Sequence, residues 1–161
     1  MTIIIQRFTL KHLIPDHECS PDSEESFKIY TLTDNGKNTT LEDIKSLEIN
    51  DKRFARTAFI KLFQNAATGE PFHKIFDGNQ FHTGHEFDYH NNHIKILRLW
   101  LAGDIRIYFI FLPKHTVVIL KTLAKRKNDL NKAEKKELEN ITKKIIDCLK
   151  NNLIKVIEDK S

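Results

Sequence analysis

Three basic side chains, Arg98, Arg106 and Lys121, stand one in each of three consecutive apolar segments. The breaks between these segments are short enough only for antiparallel hairpins, and turn geometry places Arg98 opposite Arg106, and Arg106 opposite Lys121. Because successive side chains of a strand point to opposite faces, the three cations share a face with Tyr108 and Trp100. Like charges placed opposite each other destabilise a sheet, so this row predicts an anionic ligand.

Phosphate is the anion that fits this row best, because arginine offers a planar fork of donors and aromatic rings can stack on bases. Two alternatives stay open. The register could be off by one residue, which would turn the row toward the core, or local acids such as Asp104 could pair with the cations. Net charge is −4 over residues 1–50, +3 over 51–120 and +5 over 121–161. This asymmetry favours nucleic acid as a partner, although a solvated charged helix would produce much of it.

Four histidines form a second candidate group in a segment that we expect to be a polar loop: His82, His85, His90 and His93. Imidazoles at such a spacing could bind Zn²⁺, but the spacing fits no zinc pattern and no cysteine lies nearby. A histidine at the mouth of the sheet could also act as a general acid or base. In the third interpretation, the histidines are simply polar residues of a surface loop. The predicted site contains no metal.

The elements that would position these residues follow from hydrophobic periodicity and from turn signals. An acidic connector, residues 16–25, follows a short first strand. The predicted order of two helices, a three-strand meander and a long helix is typical of an α+β domain. We expect strands at Ile3–Leu10, Phe27–Leu32, Ile94–Leu101, Ile105–Leu112 and Thr116–Leu123, and helices at Thr40–Leu47, Asp51–Ala67 and Asn131–Glu158.

Length and composition exclude several classes of protein. A chain of 161 residues with 40% hydrophobic residues predicts one compact domain. No run of eighteen apolar residues is present, so we expect no membrane span and no membrane partner, and the N-terminus lacks the pattern of a signal peptide. Cys19 and Cys148 have no metal or redox spacing, which favours two thiols in a reducing cytoplasm.

Two stretches around the basic row resemble a known family. HIKILRLWLAGDIRIYFIF and TVVILKTLAKRKNDLNKAEKKELENI are similar to the HigB-like, phage-derived branch of the RelE/ParE toxin superfamily. FKIYTLTDNGKNTTLEDI resembles the first strand and short helix of that family, and ARTAFIKLFQNAATGEPF resembles its second helix. The resemblance covers roughly residues 26–150, and the Glu of the family's ELR motif is replaced by Ile96.

The resemblance implies a RelE-like α+β fold, with a small antiparallel sheet packed by N-terminal helices and a long C-terminal helix. Residues 26–161 would form the toxin domain, and residues 1–25 would be an N-terminal extension. It further implies a toxin of a type II toxin–antitoxin system that cleaves mRNA, often on the ribosome, without a metal or other cofactor. The partners would then be mRNA and a cognate antitoxin.

The resemblance also implies roles for single residues. Arg98 and Arg106 would hold the scissile phosphate, and Lys121 or Lys125 would act as the base. Tyr108 would orient a base or a hydroxyl group, with Trp100 beside it on the nucleic acid. Arg126 and Lys127 would hold flanking phosphates. Two other functions remain open: a ParE-like toxin that binds DNA gyrase, and a non-catalytic nucleic-acid or protein-binding module.

Overall fold

The structure is a computed structural model that describes residues 2–16, 23–125 and 130–158. Several residues singled out above lie outside these ranges. They are Cys19, Arg126, Lys127 and most of the predicted acidic connector. The roles expected of Arg126 and Lys127 therefore stay predictions.

The described residues form eight strands: β1 (Ile3–Arg7), β2 (Lys28–Asp34), β3 (Lys37–Asn38), β4 (Phe81–Tyr89), β5 (Asn92–Leu99), β6 (Ile105–Leu112), β7 (Thr116–Ala124) and β8 (Ile154–Ile157). Together they make one mixed sheet in the order β4-β5-β6-β7-β2-β1-β8, with the short β3 paired to β2. Two neighbouring pairs, β2 with β7 and β1 with β8, are parallel, and the other pairs are antiparallel.

Helices cover both faces of this sheet: α1 (Thr39–Lys45), α2 (Ile49–Thr68), α3 (Phe72–Ile75) and α4 (Lys132–Lys150). On one face, Phe59 and Leu62 of α2 pack in a core with Phe109 of β6. On the other face, Leu138 and Ile145 of α4 pack in a second core. Of the described helices, none is both long and apolar enough to cross a membrane.

The predicted small antiparallel sheet is wrong. The three strands of the meander exist as β5, β6 and β7, but they form less than half of an eight-stranded mixed sheet. Local alternation identifies a strand without identifying its neighbours, and the parallel partners β2 and β7 are far apart in sequence. The RelE-like fold that the resemblance implies is therefore not confirmed for this chain. Residues 3–7 of the expected N-terminal extension lie within the sheet as β1.

The histidine segment is a hairpin of two strands and not a loop, with His82 and His85 on β4, His90 in the turn and His93 on β5. In β4, Phe87 and Tyr89 alternate with the polar Glu86 and Asp88, which is the period of a half-buried strand. Two residues, 90 and 91, join β4 to β5, and both have positive φ, as a tight two-residue hairpin requires. The density of histidines obscured an alternation that the sequence does contain.

The register of β5 against β6 differs from the predicted one by two residues. Arg98 lies opposite Tyr108 and not opposite Arg106, because the connection from Leu99 to Ile105 is longer than the three-residue loop expected. In that connection Gly103 has φ of +52°, and a Cβ atom there would collide with the Phe54 ring of α2. Since the offset is an even number of residues, the side chains of β5 and β6 keep their predicted faces.

Strand β7 departs from simple alternation. Tyr108 pairs with Lys121 whereas Phe109 pairs with Ile119, so β7 has one extra residue at this point. Such a bulge reverses the alternation on the strand that carries it. Unbroken alternation along β7 would put Val118 and Leu120 on the face opposite Lys121, in the core with Phe109. With the bulge they lie in the core under α4. Lys121 was placed opposite Arg106, and that expected pairing is also wrong.

The last helix is shorter than predicted, and a strand follows it. Asn152 has φ of +56°, and the Leu153 N–H donates to the Cys148 carbonyl at 2.7 Å, while the Asn152 N–H reaches the Leu149 carbonyl at 3.3 Å. These two bonds are a Schellman ending, in which asparagine takes the left-handed position. Leu153 and Val156, which fall within the helix predicted at Asn131–Glu158, lie in the turn and in β8.

The ends of the N-terminal helices were predicted less accurately than their existence. The residue that caps α1 is Asn38, whose side chain accepts from the Leu41 N–H, and not Thr40, which is buried and hydrogen-bonded to Thr31. Helix α2 ends at Thr68, one residue after the predicted end, and Gly69 follows it with φ of +74°. A Cβ atom at that position would collide with the backbone of Glu25, so only glycine fits this end.

Candidate anion-binding site

Two arginines form the centre of the site on the α4 side of the sheet, where they interrupt an otherwise apolar core. Arg98 on β5 and Arg106 on β6 are 4% and 2% exposed. The Arg98 Nη2 atom donates to the Asn79 carbonyl at 2.5 Å. Its Nε atom has no hydrogen-bond partner among the described residues. Buried guanidinium groups are rare, and here two of them lie on adjacent strands, which concentrates positive charge inside the protein.

Trp100, the single tryptophan of the chain, lies against both arginines. The Arg106 Cζ atom is 4.0 Å from the centroid of its ring, and the Arg98 Cζ atom is 5.8 Å away. The indole Nε1 donates to the Gly103 carbonyl, which fixes the ring beside the β5–β6 connection. The three residues, Arg98, Arg106 and Trp100, are called the arginine site below.

The two arginines disfavour each other's charge. Burial lowers the pKa of Arg98 below its ordinary value, and the charge of Arg106 lowers it further. Burial also lowers the pKa of Arg106, while the neighbouring Tyr108 and Asp104 act in the opposite direction. Because both side chains remain cations at any physiological pH, an anion between them would relieve the repulsion.

Lys121 lies on the predicted face, but its side chain pairs with two carboxylates. Its Nζ atom is 3.4 Å from Asp43 on α1 and 3.6 Å from Glu137 on α4. Burial acts to lower the pKa of Lys121, but the charges of Asp43 and Glu137 outweigh it, so the pKa is raised. A lysine base needs a lowered pKa, so this environment does not favour that role for Lys121.

Lys125 lies close to the start of β6, because its backbone N–H donates to the Asp104 carbonyl at 2.8 Å. Its Nζ atom is 2.6 Å from Glu134, a residue that also accepts from the Asn131 N–H in the capping box of α4. Burial acts to raise the pKa of Glu134, but the hydrogen bonds from Lys125 and Asn131 lower it overall. Lys125 and Glu134 thus form an ion pair.

Tyr108 lies between Arg98 and Lys121 in the sheet, as a member of the core under α4. It is only 1% exposed. The role of orienting a base or a hydroxyl of a bound ligand would require its side chain to reach that ligand. Its burial supports packing as its contribution here.

Three of the four histidines of the β4–β5 hairpin pair with carboxylates. His93 contacts Asp88 at 2.9 Å and Glu86 at 2.7 Å, so both of its ring nitrogens face an acid. His85 and His90 reach acids of α4, at 3.1 Å from Glu139 and 3.4 Å from Asp147 respectively. Throughout the described ranges, no group of three potential ligands converges into a metal site.

Sequence reasoning found the arginines and missed the carboxylates that face the lysines. Asp43 comes from α1, which is far from β7 in sequence, and Glu134 and Glu137 come from α4, the next helix along the chain after β7. No local pattern predicts that these carboxylates contact the two lysines. Glu134 alone had a signal, because Asn131 followed by glutamate three residues later is a capping box. No protein-family model matches this sequence, and no curated protein shows significant similarity to it.

Proposed function

We propose that the chain binds RNA at the arginine site and cleaves it without a metal, as the toxin of a type II toxin–antitoxin system in the cytoplasm. The observation that carries the proposal is the pair of guanidinium groups on adjacent strands, packed against one indole ring. Two planar forks of donors fit the oxygens of a phosphodiester, and an aromatic ring beside them can stack on a base.

Access to the site requires a movement of Trp100. Its ring packs 4.0 Å from the guanidinium carbon of Arg106, which is 2% exposed. A phosphate reaches that guanidinium only after the contact with the ring is exchanged for one with the ligand. The freed indole is then available to stack on a base next to the phosphate.

The chemistry that fits these residues is attack by the ribose 2′-hydroxyl on the adjacent phosphorus. The two arginines would stabilise the pentacoordinate transition state, which carries more negative charge than the substrate. The bond from phosphorus to the 5′-oxygen breaks, and the Lys125 ammonium gives that oxygen a proton. Glu134, held ionised beside Lys125, takes the proton of the 2′-hydroxyl and returns it to Lys125. The products are a 2′,3′-cyclic phosphate and a 5′-hydroxyl.

The test is cleavage of labelled RNA in the presence of a metal chelator, both as free RNA and in a cell-free translation reaction. We expect products with cyclic phosphate ends and a change in the fluorescence of Trp100 on binding. Replacing either arginine by methionine, as Arg98→Met or Arg106→Met, should slow cleavage by roughly 10²–10³-fold, the typical effect of losing one transition-state donor.

Arg53→Met is the matched control, because it removes the same charge from an exposed position of α2. It should leave cleavage within about twofold of the original rate, as expected for a surface charge outside the site. A folded Arg106→Met protein that cleaves RNA at the original rate would remove the arginine site from the mechanism. Normal bacterial growth at full expression of the original chain would argue against the toxin.

A second candidate function is a non-catalytic RNA-binding module. The observation that favours it is the pairing of both candidate lysines with carboxylates, at 3.4 Å for Lys121 and Asp43 and 2.6 Å for Lys125 and Glu134. Paired in this way, neither lysine is a ready base. The same assay separates the two functions, because this module would change Trp100 fluorescence on binding RNA without producing cyclic phosphate ends.

A further inference from the structure

A cavity of about 480 Å³ opens on the α2 side of the sheet, in a region that the proposed function does not use. Its walls are mainly phenylalanine rings. The ring centroid of Phe72 lies 5.1 Å from that of Phe27 and 5.3 Å from that of Phe111, and Phe81 completes the group at 5.7 Å. Phe111 is 41% exposed, which leaves an aromatic ring at the cavity mouth.

The rim of this cavity carries basic groups. Lys114 and His115, in the β6–β7 turn, and His73, on α3, are exposed and line it. Among the described residues, no carboxylate lines the cavity. An apolar interior with a few convergent polar groups is the usual form of a small-molecule site, and a volume of about 480 Å³ lies in the usual range.

The turn that carries two of these groups is conformationally costly. Lys114 and His115 have φ of +64° and +53°, in the left-handed region that favours glycine and asparagine. The His115 carbonyl accepts from the Lys28 N–H at 2.8 Å, which holds the turn against β2. Glycine or asparagine would satisfy the same backbone at lower cost. The chain instead keeps two basic side chains at this strained position, beside the aromatic walls.

We propose that this cavity binds a small molecule made of a flat aromatic ring that carries a negative charge. The ring would pack against Phe27, Phe72 and Phe111 in the edge and offset arrangements that aromatic groups prefer. The charge would meet the Lys114 ammonium at the rim. An aromatic carboxylate and a nucleoside monophosphate share this chemistry, and competition distinguishes them.

The probe is anilinonaphthalene sulfonate, an aromatic anion whose fluorescence rises in apolar surroundings. We expect saturable binding to the full chain and displacement by naphthoate. Phe111→Ala removes a wall and Lys114→Asn removes the charge, and each should weaken binding by about tenfold or more, the usual effect of losing one charged contact. Because asparagine tolerates the left-handed conformation, Lys114→Asn should keep or raise the melting temperature.

His90→Asn is the matched control, because His90 also has a positive φ in a hairpin turn but lies outside the cavity. It should bind the probe as the original chain does. Displacement by naphthoate alone would identify an aromatic acid as the ligand class, and displacement by adenosine monophosphate as well would extend it to nucleotides. Unchanged probe binding by both Phe111→Ala and Lys114→Asn would overturn the proposal, as would equal displacement by the uncharged naphthol.

Discussion

Burial distinguishes Arg106 from the lysines of the predicted basic row. A buried cation loses its hydration, and an apolar side chain of similar volume is often as stable or more stable in its place. We therefore expect Arg106→Met to keep or raise the melting temperature of the chain. Arg106→Ala should lower it by several degrees, because truncation leaves a cavity in the core under α4. Differential scanning calorimetry on both variants tests this, and a lower melting temperature for Arg106→Met would contradict it.

The ion pairs of Lys121 predict a dependence of stability on alkaline pH. The pKa of Lys121 is raised in the folded chain, so its pairing with Asp43 and Glu137 stabilises the fold below the ordinary pKa of lysine. This contribution is lost as the pH rises through the raised value. Above about pH 10, we expect the free energy of unfolding of the original chain to fall more steeply than that of Lys121→Met. The extra loss in the original chain should be less than about 1 kcal/mol.

Urea unfolding at neutral and alkaline pH measures this difference. Lys52→Met, which removes an exposed lysine of α2, is the control and should follow the original chain. An alkaline slope for Lys121→Met equal to that of the original chain would show that the two carboxylates contribute nothing to stability through Lys121.

The faces of the site residues could be predicted from sequence, but their contacts could not. Arg98, Arg106 and Lys121 share the predicted face because alternation survives an even error in register. The pairing of Lys121 with Asp43 depends on how α1 packs against β7, which is a property of the whole fold. The sequence therefore predicts that the two arginines share a face and overestimates the charge available from the lysines.

At the scale of elements, the end of α4 depends on one left-handed residue. Asn152 tolerates this conformation, glycine tolerates it better, and a residue with an ordinary Cβ pays roughly 1–2 kcal/mol. We expect Asn152→Gly to raise the free energy of unfolding slightly and Asn152→Ala to lower it by about 1 kcal/mol. Asn151→Ala is the control, since Asn151 has φ of −100°. Chemical denaturation tests this, and equal effects of alanine at both positions would contradict it.

The β4–β5 hairpin carries a histidine whose titration reports its pairing. Hydrogen bonds to Asp88 and Glu86 raise the pKa of His93 above its ordinary value. The stability that these bonds add is therefore present below the unfolded pKa and is lost as the pH rises through the folded one. Ring-proton NMR should show His93 titrating above the ordinary pKa of a histidine. Asp88→Asn should lower the His93 value, and an unchanged value would contradict the pairing.

Elements with a regular hydrophobic period in the sequence could be predicted, and elements without such a period could not. The pattern of α2 and of the strands β5, β6 and β7 is long and regular, so their existence follows from sequence. Strand β4 carries the same alternation, but its histidines suggested a loop. The sequence predicts a helix that runs to Glu158, because the apolar spacing continues through the turn at Asn152 into β8. The helix in fact ends at Lys150.

At the scale of the molecule, the sheet joins the two ends of the described chain. Strand β1 lies between β2 and β8, and β2 lies between β1 and β7. The parallel pairs β2–β7 and β1–β8 connect segments far apart in sequence, so no local pattern could have predicted them. The residues expected to form a separate extension therefore contribute an internal strand, and Phe8, next to that strand, is 1% exposed.

This arrangement predicts different outcomes for removing the two ends. Deleting residues 1–8 removes β1 and Phe8, whose ring centroid lies 5.4 Å from that of Phe59 in the core. Loss of one such buried ring costs about 3–5 kcal/mol, a large part of the stability of a typical domain, and the loss of the strand adds to it. We expect no cooperative thermal transition for this variant.

Deleting residues 153–161 removes β8, where Val156 and Ile157 are 47% and 39% exposed. An edge strand with such exposed side chains contributes less buried apolar area than an internal one. We therefore expect this variant to unfold cooperatively, at a melting temperature lower by several degrees. Circular dichroism during heating compares the two deletions under the same conditions. Two outcomes would contradict this prediction: a cooperative transition in the variant that lacks β1, or no cooperative transition in the variant that lacks β8. Either would show that the sheet depends on its edge strand more than on its internal strand.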